Sequence, residues 1–242
     1  MDHSRCQVKH LLLALAAILA TASAKSHASD QFCPKQQSLP TATGQPSILV
    51  IGDSISIDYT STIQRALGAR YDVVHNPCNA MNSTWTRQQI DYWLGSRTSF
   101  EGITWNNGLW DTVDTDPTSN ATYEANLHAI AAKIKAKTAH PLFVLTTEVL
   151  PGTPNQSNAD VIQKNMIAVA VMAAEGIPVL DLYKVSQGLV HASPTDLHYT
   201  AAGSAALGAA VLAELNTRYG ITANRALMKH LDFGALDESK LK

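Results

Sequence analysis

The chain has 242 residues, a formal net charge of −2 and only 16% charged residues, with no basic block. That balance argues against nucleic acid or an anionic membrane as a partner. Its cysteines have no metal-ligand spacing, so they give little support to a zinc site.

The N-terminus stands apart. Arg5 and Lys9 precede an unbroken apolar or small run over 11–22, and Ala22-Ser23-Ala24 and His27-Ala28 offer small-residue cleavage points. This is the plan of a secretory signal peptide over 1–28, with an apolar core too short to span a bilayer comfortably. An uncleaved anchor is the alternative. The expected location is secreted or periplasmic, with no integral membrane segment in the mature chain. The remaining residues, 29–242, suit a single domain with a proper core, expected to act as a monomer. Cys6 falls in the leader, which leaves Cys33 and Cys78 either paired, as export permits, or free.

After an irregular arm over 29–47, the run Ile48-Leu49-Val50-Ile51 stops abruptly at Gly52-Asp53-Ser54-Ile55-Ser56. A short, wholly apolar run reads as a buried parallel strand ending at the mouth of a sheet. A helix follows over 59–67, ended by Gly68, and a second strand over 71–75 is broken by Asn76-Pro77. A second helix spans 85–94 and a third strand 102–105, which runs into Asn106-Asn107-Gly108. The clearest helix covers 121–137, where Leu127, Ile130, Ala131 and Ile134 share a face. Lys133, Lys135 and Lys137 near its end suit the helix dipole better than a binding patch. A fourth strand (141–146), a helix (159–175), a fifth strand (177–182) and an Ala-rich helix (200–219) complete the alternation. A loosely attached tail is expected over 221–242.

Five strand–helix repeats argue for a three-layer α/β/α sandwich around a five-stranded parallel sheet. Right-handed crossovers put all the strand ends on one rim. Ser54, the 76–84 loop, Asn106 to Asp111 and the 147–158 loop would gather there, where open α/β sheets bind their ligands.

A serine on that rim is a nucleophile only if a base is supplied. Three of the nine histidines lie in the leader. His128 and His140 read as surface or structural, His191 sits in a loop without a motif, and His75 ends the second strand and could line the cleft. His198 stands out, because Asp196-Leu197-His198-Tyr199-Thr200 leads straight into the last helix with Thr200 as a plausible N-cap. Asp196 lies close enough in sequence to orient the imidazole. Asp53 reads as a loop-ordering acceptor, Trp105 and Trp110 as packing with sugar stacking as the alternative, and Glu148 and Asp181 as structural or substitute orienting carboxylates. Asn82-Ser83-Thr84, Asn120-Ala121-Thr122 and Asn155-Gln156-Ser157 match the N-glycosylation pattern.

Gly52-Asp53-Ser54-Ile55 and Asp196-Leu197-His198-Tyr199-Thr200 with Gly203 resemble the nucleophile block and the C-terminal Asp/His block of the SGNH (GDSL) hydrolases. The resemblance covers about 47–217 and implies a flavodoxin-like fold. It also implies Ser54 as nucleophile, His198 as general base, and an oxyanion hole from the N–H beside Ser54 plus donors of the second and third loops. Three positions depart from the family pattern. Trp110 stands where the third-block Asn belongs, so the amide falls to Asn106 or Asn107, with Asn106 favoured. Met81 replaces the second-block Gly. The carboxylate that the family places three residues before the histidine would be Thr195, whereas Asp196 is two before, which leaves either a triad or a Ser–His dyad. The implied activity is hydrolysis of acyl esters, short-chain or acetyl, with a carbohydrate ester as one form, through an acyl-enzyme without metal or organic cofactor. The implied partner is a small-molecule or glycan ester substrate. A lipase or thioesterase, a decayed carbohydrate-binding or accessory protein on the same scaffold, and a phosphate binder are the alternatives.

Overall fold

A computed structural model describes residues 36–222. The expected leader over 1–28, Cys33 and residues 223–242 lie outside the described residues. Five strands, β1 (Ser47–Ile51), β2 (Asp72–His75), β3 (Gly102–Trp105), β4 (Pro141–Val144) and β5 (Val179–Leu180), form one parallel sheet in the order β2-β1-β3-β4-β5. The helices are α1 (Ser54–Leu67), α2 (Ser83–Gly95), α3 (Asn120–Lys135), α4 (Asn158–Glu175), α5 (Leu182–Ser186) and α6 (Ala201–Tyr219). The expected three-layer sandwich is the observed architecture. Among the described residues no helix is long and apolar enough to cross a membrane.

The two layers follow from the period of a strand. Ile48 and Val50 of β1 face Tyr59 and Ile63 of α1 and Leu207, Val211 and Leu215 of α6. Leu49 and Ile51 face the opposite way, towards Ile90 and Trp93 of α2 and Leu127, Ile130 and Ile134 of α3. All five residues of β1 are buried. Each buried aliphatic of this size contributes roughly 1.5–3 kcal/mol, so the strand that delivers residue 54 is firmly held. The helix that starts at Ser54 also packs closely against α6. A Cβ on Gly208 would lie 2.9 Å from both the Tyr59 carbonyl oxygen and Thr62 Cβ, so only a glycine allows that approach.

Side-chain caps define where the helices begin. Asp53, Asn82, Ser119, Ser157, Asp181 and Thr200 each accept a backbone N–H of the following turn. Gly176 and Gly220 end α4 and α6 in the left-handed conformation.

Several boundaries differ from the sequence reading, the fourth strand among them, which ends at Val144; two bear on the rim. The first helix begins at Ser54, not at residue 59, because Asp53 caps it and polar Ser54, Ser56 and Thr60 are buried inside it. The fifth strand is only Val179–Leu180, because Asp181 turns the chain into α5. Of the tail expected over 221–242 only 221 and 222 fall among the described residues, where Ile221 is buried and Arg70 donates to the Thr222 side chain at 2.7 Å.

Candidate active site

Ser54 is the first residue of α1, directly beyond the carboxyl end of β1. At that position its own N–H has no acceptor within the helix, and the helix dipole favours negative charge in front of it. Ser54 Oγ lies 2.9 Å from His198 Nε2 across 144 residues of sequence. His198 Nδ1 in turn lies 2.8 Å from Asp196 Oδ1. A carboxylate only accepts, so the ring proton sits on Nδ1 and the lone pair of Nε2 faces the Ser54 hydroxyl. Such an array can take the proton of Ser54 as the hydroxyl attacks, and hold the resulting imidazolium.

The spacing of two residues is bridged by a local turn. Asp196 Oδ1 also accepts the backbone N–H of His198 at 2.9 Å, so one oxygen fixes both the backbone and the ring of the histidine. Burial alone would raise the Asp196 carboxyl. The N–H and ring of His198, with the charges of His198 and His191, outweigh it and hold the group below the usual carboxylate value. Thr195 is exposed.

The loop over 76–82 is sewn to β1, since Gly52 N–H donates to Asn76 Oδ1 at 2.9 Å and Ala80 N–H to Gly52 O at 2.9 Å. Met81 adopts φ 52°, the left-handed conformation that a glycine would adopt without cost. Its N–H donates to Asn79 Oδ1 at 2.8 Å. Asn106, at the end of β3, is buried and donates from Nδ2 to Val144 O at 2.8 Å. Its second contact, with Thr146 Oγ1, is long at 3.4 Å. Asn107 is fully engaged elsewhere: Nδ2 donates to Met81 O and Thr86 Oγ1, and Oδ1 accepts from Trp105 Nε1. Asp111 accepts from Ser83 N–H and Ser83 Oγ, which locks the loop after β3 to the start of α2.

The other singled-out residues are placed as follows. His75 pairs with Ser56 and not with Ser54, its Nε2 lying 2.6 Å from Ser56 Oγ while Nδ1 donates to Asn76 O. Burial pushes His75 down to about 4, which keeps it neutral. Burial likewise raises the Asp53 carboxyl to about 6, against the Ile55 N–H and the charge of His198. Asp181 caps α5, and Glu148 lies 4.0 Å from His191 Nε2. Trp105 is buried edge-on against Phe143, which removes it as a stacking surface, whereas Trp110 is partly exposed. Lys133 and Lys135 are paired with Asp91 and Glu175. Cys78 is disulfide-bonded. Among the described residues no cluster of three His, Cys, Asp or Glu side chains could hold a metal ion.

Two features escaped the sequence reading. The Ser56–His75 pair was hidden because a serine inside a capped helix looks like loop polarity. His191 carries no motif, yet it donates from Nδ1 to the Asp196 carbonyl at 2.8 Å.

No protein-family model matches the sequence, nor does any curated protein. Solved structures do match. A lipase/acylhydrolase from Enterococcus faecalis superposes with TM-score 0.62 at 19% identity, over 72% of this chain and 97% of that one. The M. smegmatis aryl esterase gives 0.58 at 13% identity, over 71% and 99%. A carbohydrate acetylesterase from Sinorhizobium meliloti gives 0.58 at 12% identity, over 72% and 99%. The parallel sheet and its flanking helices are those of these proteins, and the fold is that of the SGNH hydrolases.

Proposed function

We propose that the protein is an exported serine hydrolase of carboxylic esters, with Ser54 as nucleophile, His198 as general base and acid, and Asp196 as the orienting carboxylate. The observation that carries this reading is one imidazole bridging Ser54 Oγ at 2.9 Å and Asp196 Oδ1 at 2.8 Å. Ser54 Oγ attacks the ester carbonyl carbon and passes its proton to His198 Nε2. The developing oxyanion meets the Ser54 N–H at the start of α1 and the loosely held proton of Asn106. Collapse expels the alcohol, which takes the proton from His198. A water then gives its proton to His198, attacks the acyl-enzyme and releases the acid, and Ser54 regains its hydrogen.

A short acyl group, acetyl above all, on a carbohydrate is the proposed substrate. The sequence contains no long apolar lid, Trp110 offers a partly exposed ring, and one fold neighbour is a carbohydrate acetylesterase. The leader over 1–28 and the disulfide-bonded Cys78 support export to an oxidising compartment. The test is turnover of p-nitrophenyl acetate and of an acetylated glycan by the wild type and by Ser54→Ala. Turnover lost only in the variant is the expected result. Equal turnover by both, or failure of a phosphonate probe to label Ser54, overturns the reading.

A further inference from the structure

His191 has the most confined imidazole around the loop that carries Asp196 and His198, with its side chain only 4% exposed. The segment 190–200 folds back on itself as a short antiparallel pair. His191 is bridged to Tyr199, Ala192 N–H donates to His198 O at 2.9 Å, and Thr200 N–H donates to Val190 O at 2.9 Å. The His191 ring lies inside that fold. Its Nδ1 is 2.8 Å from the Asp196 carbonyl oxygen, which only accepts, so Nδ1 carries the proton. Its face lies against Tyr199, ring centroids 4.3 Å apart. Nε2 faces Glu148 Oε1 at 4.0 Å and makes no hydrogen bond. One ring therefore touches the residues two before and one after His198.

We propose that His191 is a positioning residue: by holding the Asp196 carbonyl and bracing Tyr199, it keeps the Asp196 carboxylate on His198 Nδ1. This compensates for the carboxylate's place in the loop. Asp196 lies in a turn beside exposed Ser193, Pro194 and Thr195, and its side chain is 37% exposed, so packing adds little to its two bonds with His198. The inference rests on the ester-hydrolase reading for its kinetic consequences, but not for its structural one.

The experiment compares His191→Phe, which keeps a ring against Tyr199 and removes the donor, with His191→Asn, which keeps a donor near the position of Nδ1. In His191→Phe, kcat is expected to fall about tenfold with KM within twofold, and the acid limb of the kcat profile to move to lower pH as the imidazolium loses its partner. His191→Asn is expected to retain most of kcat. In an Asp196→Ala background, His191→Phe should cost nothing further, because its effect runs through Asp196. Titration of the His198 ring by NMR, which needs no substrate, should show the same downward shift. Wild-type kinetics and wild-type His198 titration in His191→Phe overturn the proposal. So does an equal loss in the Asp196→Ala background, or a His191→Asn variant as impaired as His191→Phe. If the wild type hydrolyses no ester, the NMR titration still decides the role of His191 while the hydrolase reading fails by itself.

Discussion

His198 and Asp196 are two residues apart, and a single carboxylate oxygen of Asp196 accepts both the ring N–H of His198 at 2.8 Å and its backbone N–H at 2.9 Å. The turn that satisfies the backbone donor is the same one that aims the carboxylate at the ring. A carboxylate one position earlier, at exposed Thr195, is not needed to complete the array.

Replacing Asp196 by Asn keeps the turn but removes the charge that stabilises imidazolium. A fall in kcat of about 10²–10⁴ with little change in KM is expected, by analogy with loss of the orienting carboxylate in a serine-protease triad. Steady-state kinetics on p-nitrophenyl acetate check this, and a loss under fivefold would indicate a Ser–His dyad.

Asn106 and Asn107 are adjacent but differently committed, so their alanine variants should separate. Asn106→Ala is expected to lower kcat by about 10²–10³, the usual cost of an oxyanion donor. Asn107→Ala removes bonds to Met81 O and Thr86 Oγ1 and should appear chiefly as a lower melting temperature. Kinetics and thermal unfolding of both variants, measured together, tell the two effects apart.

Gly52 leaves no room for a side chain. A Cβ there would lie 2.6 Å from Ser56 Oγ and 2.9 Å from Ser56 Cβ. Gly52→Ala must displace the first turn of α1, breaking the Ser56–His75 bond and moving Ser54. A drop in kcat of at least tenfold is expected, because small misplacement of a reacting group is costly. A crystal structure of the variant should show the shifted Ser54.

Asp53 and His75 make opposite contributions to acid stability. Asp53 is raised from 3.8 to about 6, so its contribution is full below pH 3.8 and is lost as pH rises through about 6. His75 is lowered from 6.5 to about 4, so its contribution is present above pH 6.5 and is lost as pH falls through about 4. Between about 4 and 6 the two nearly cancel. Asp53→Asn should unmask the histidine, making stability fall by about 1.4 kcal/mol for each unit that the pH is lowered, relative to wild type, over that window. Urea unfolding at several pH values measures the slope, and parallel curves for the two proteins would contradict the assignment.

Met81 holds a left-handed backbone at φ 52° that costs a residue with a Cβ roughly 1–2 kcal/mol. Part of that is offset by the greater freedom of glycine in the unfolded chain. Met81→Gly is expected to stabilise by about 0.5–1 kcal/mol, read as a higher melting temperature.

Much was legible before the structure because it depends on local pattern. Short apolar runs alternating with 3.6-period helices prescribe the parallel sheet, and Gly52-Asp53-Ser54 at the end of an unbroken apolar run marks where Ser54 emerges on the rim. The cap at Thr200 was visible for the same reason, being a property of neighbouring residues. Other features involve residues far apart in the chain or turns that no motif encodes. Only the packing of α1 on α6 brings Ser54 within 2.9 Å of His198. Only the turn at Asp196 decides that a two-residue spacing suffices, and only the fold-back of 190–200 puts His191 beneath it. The amino-acid order by itself determined the sheet, the rim and the serine on it, because periodicity and capping are short-range. The tertiary structure decided which imidazole and which carboxylate line up with that serine, because contacts across 144 residues are set by burial and close packing.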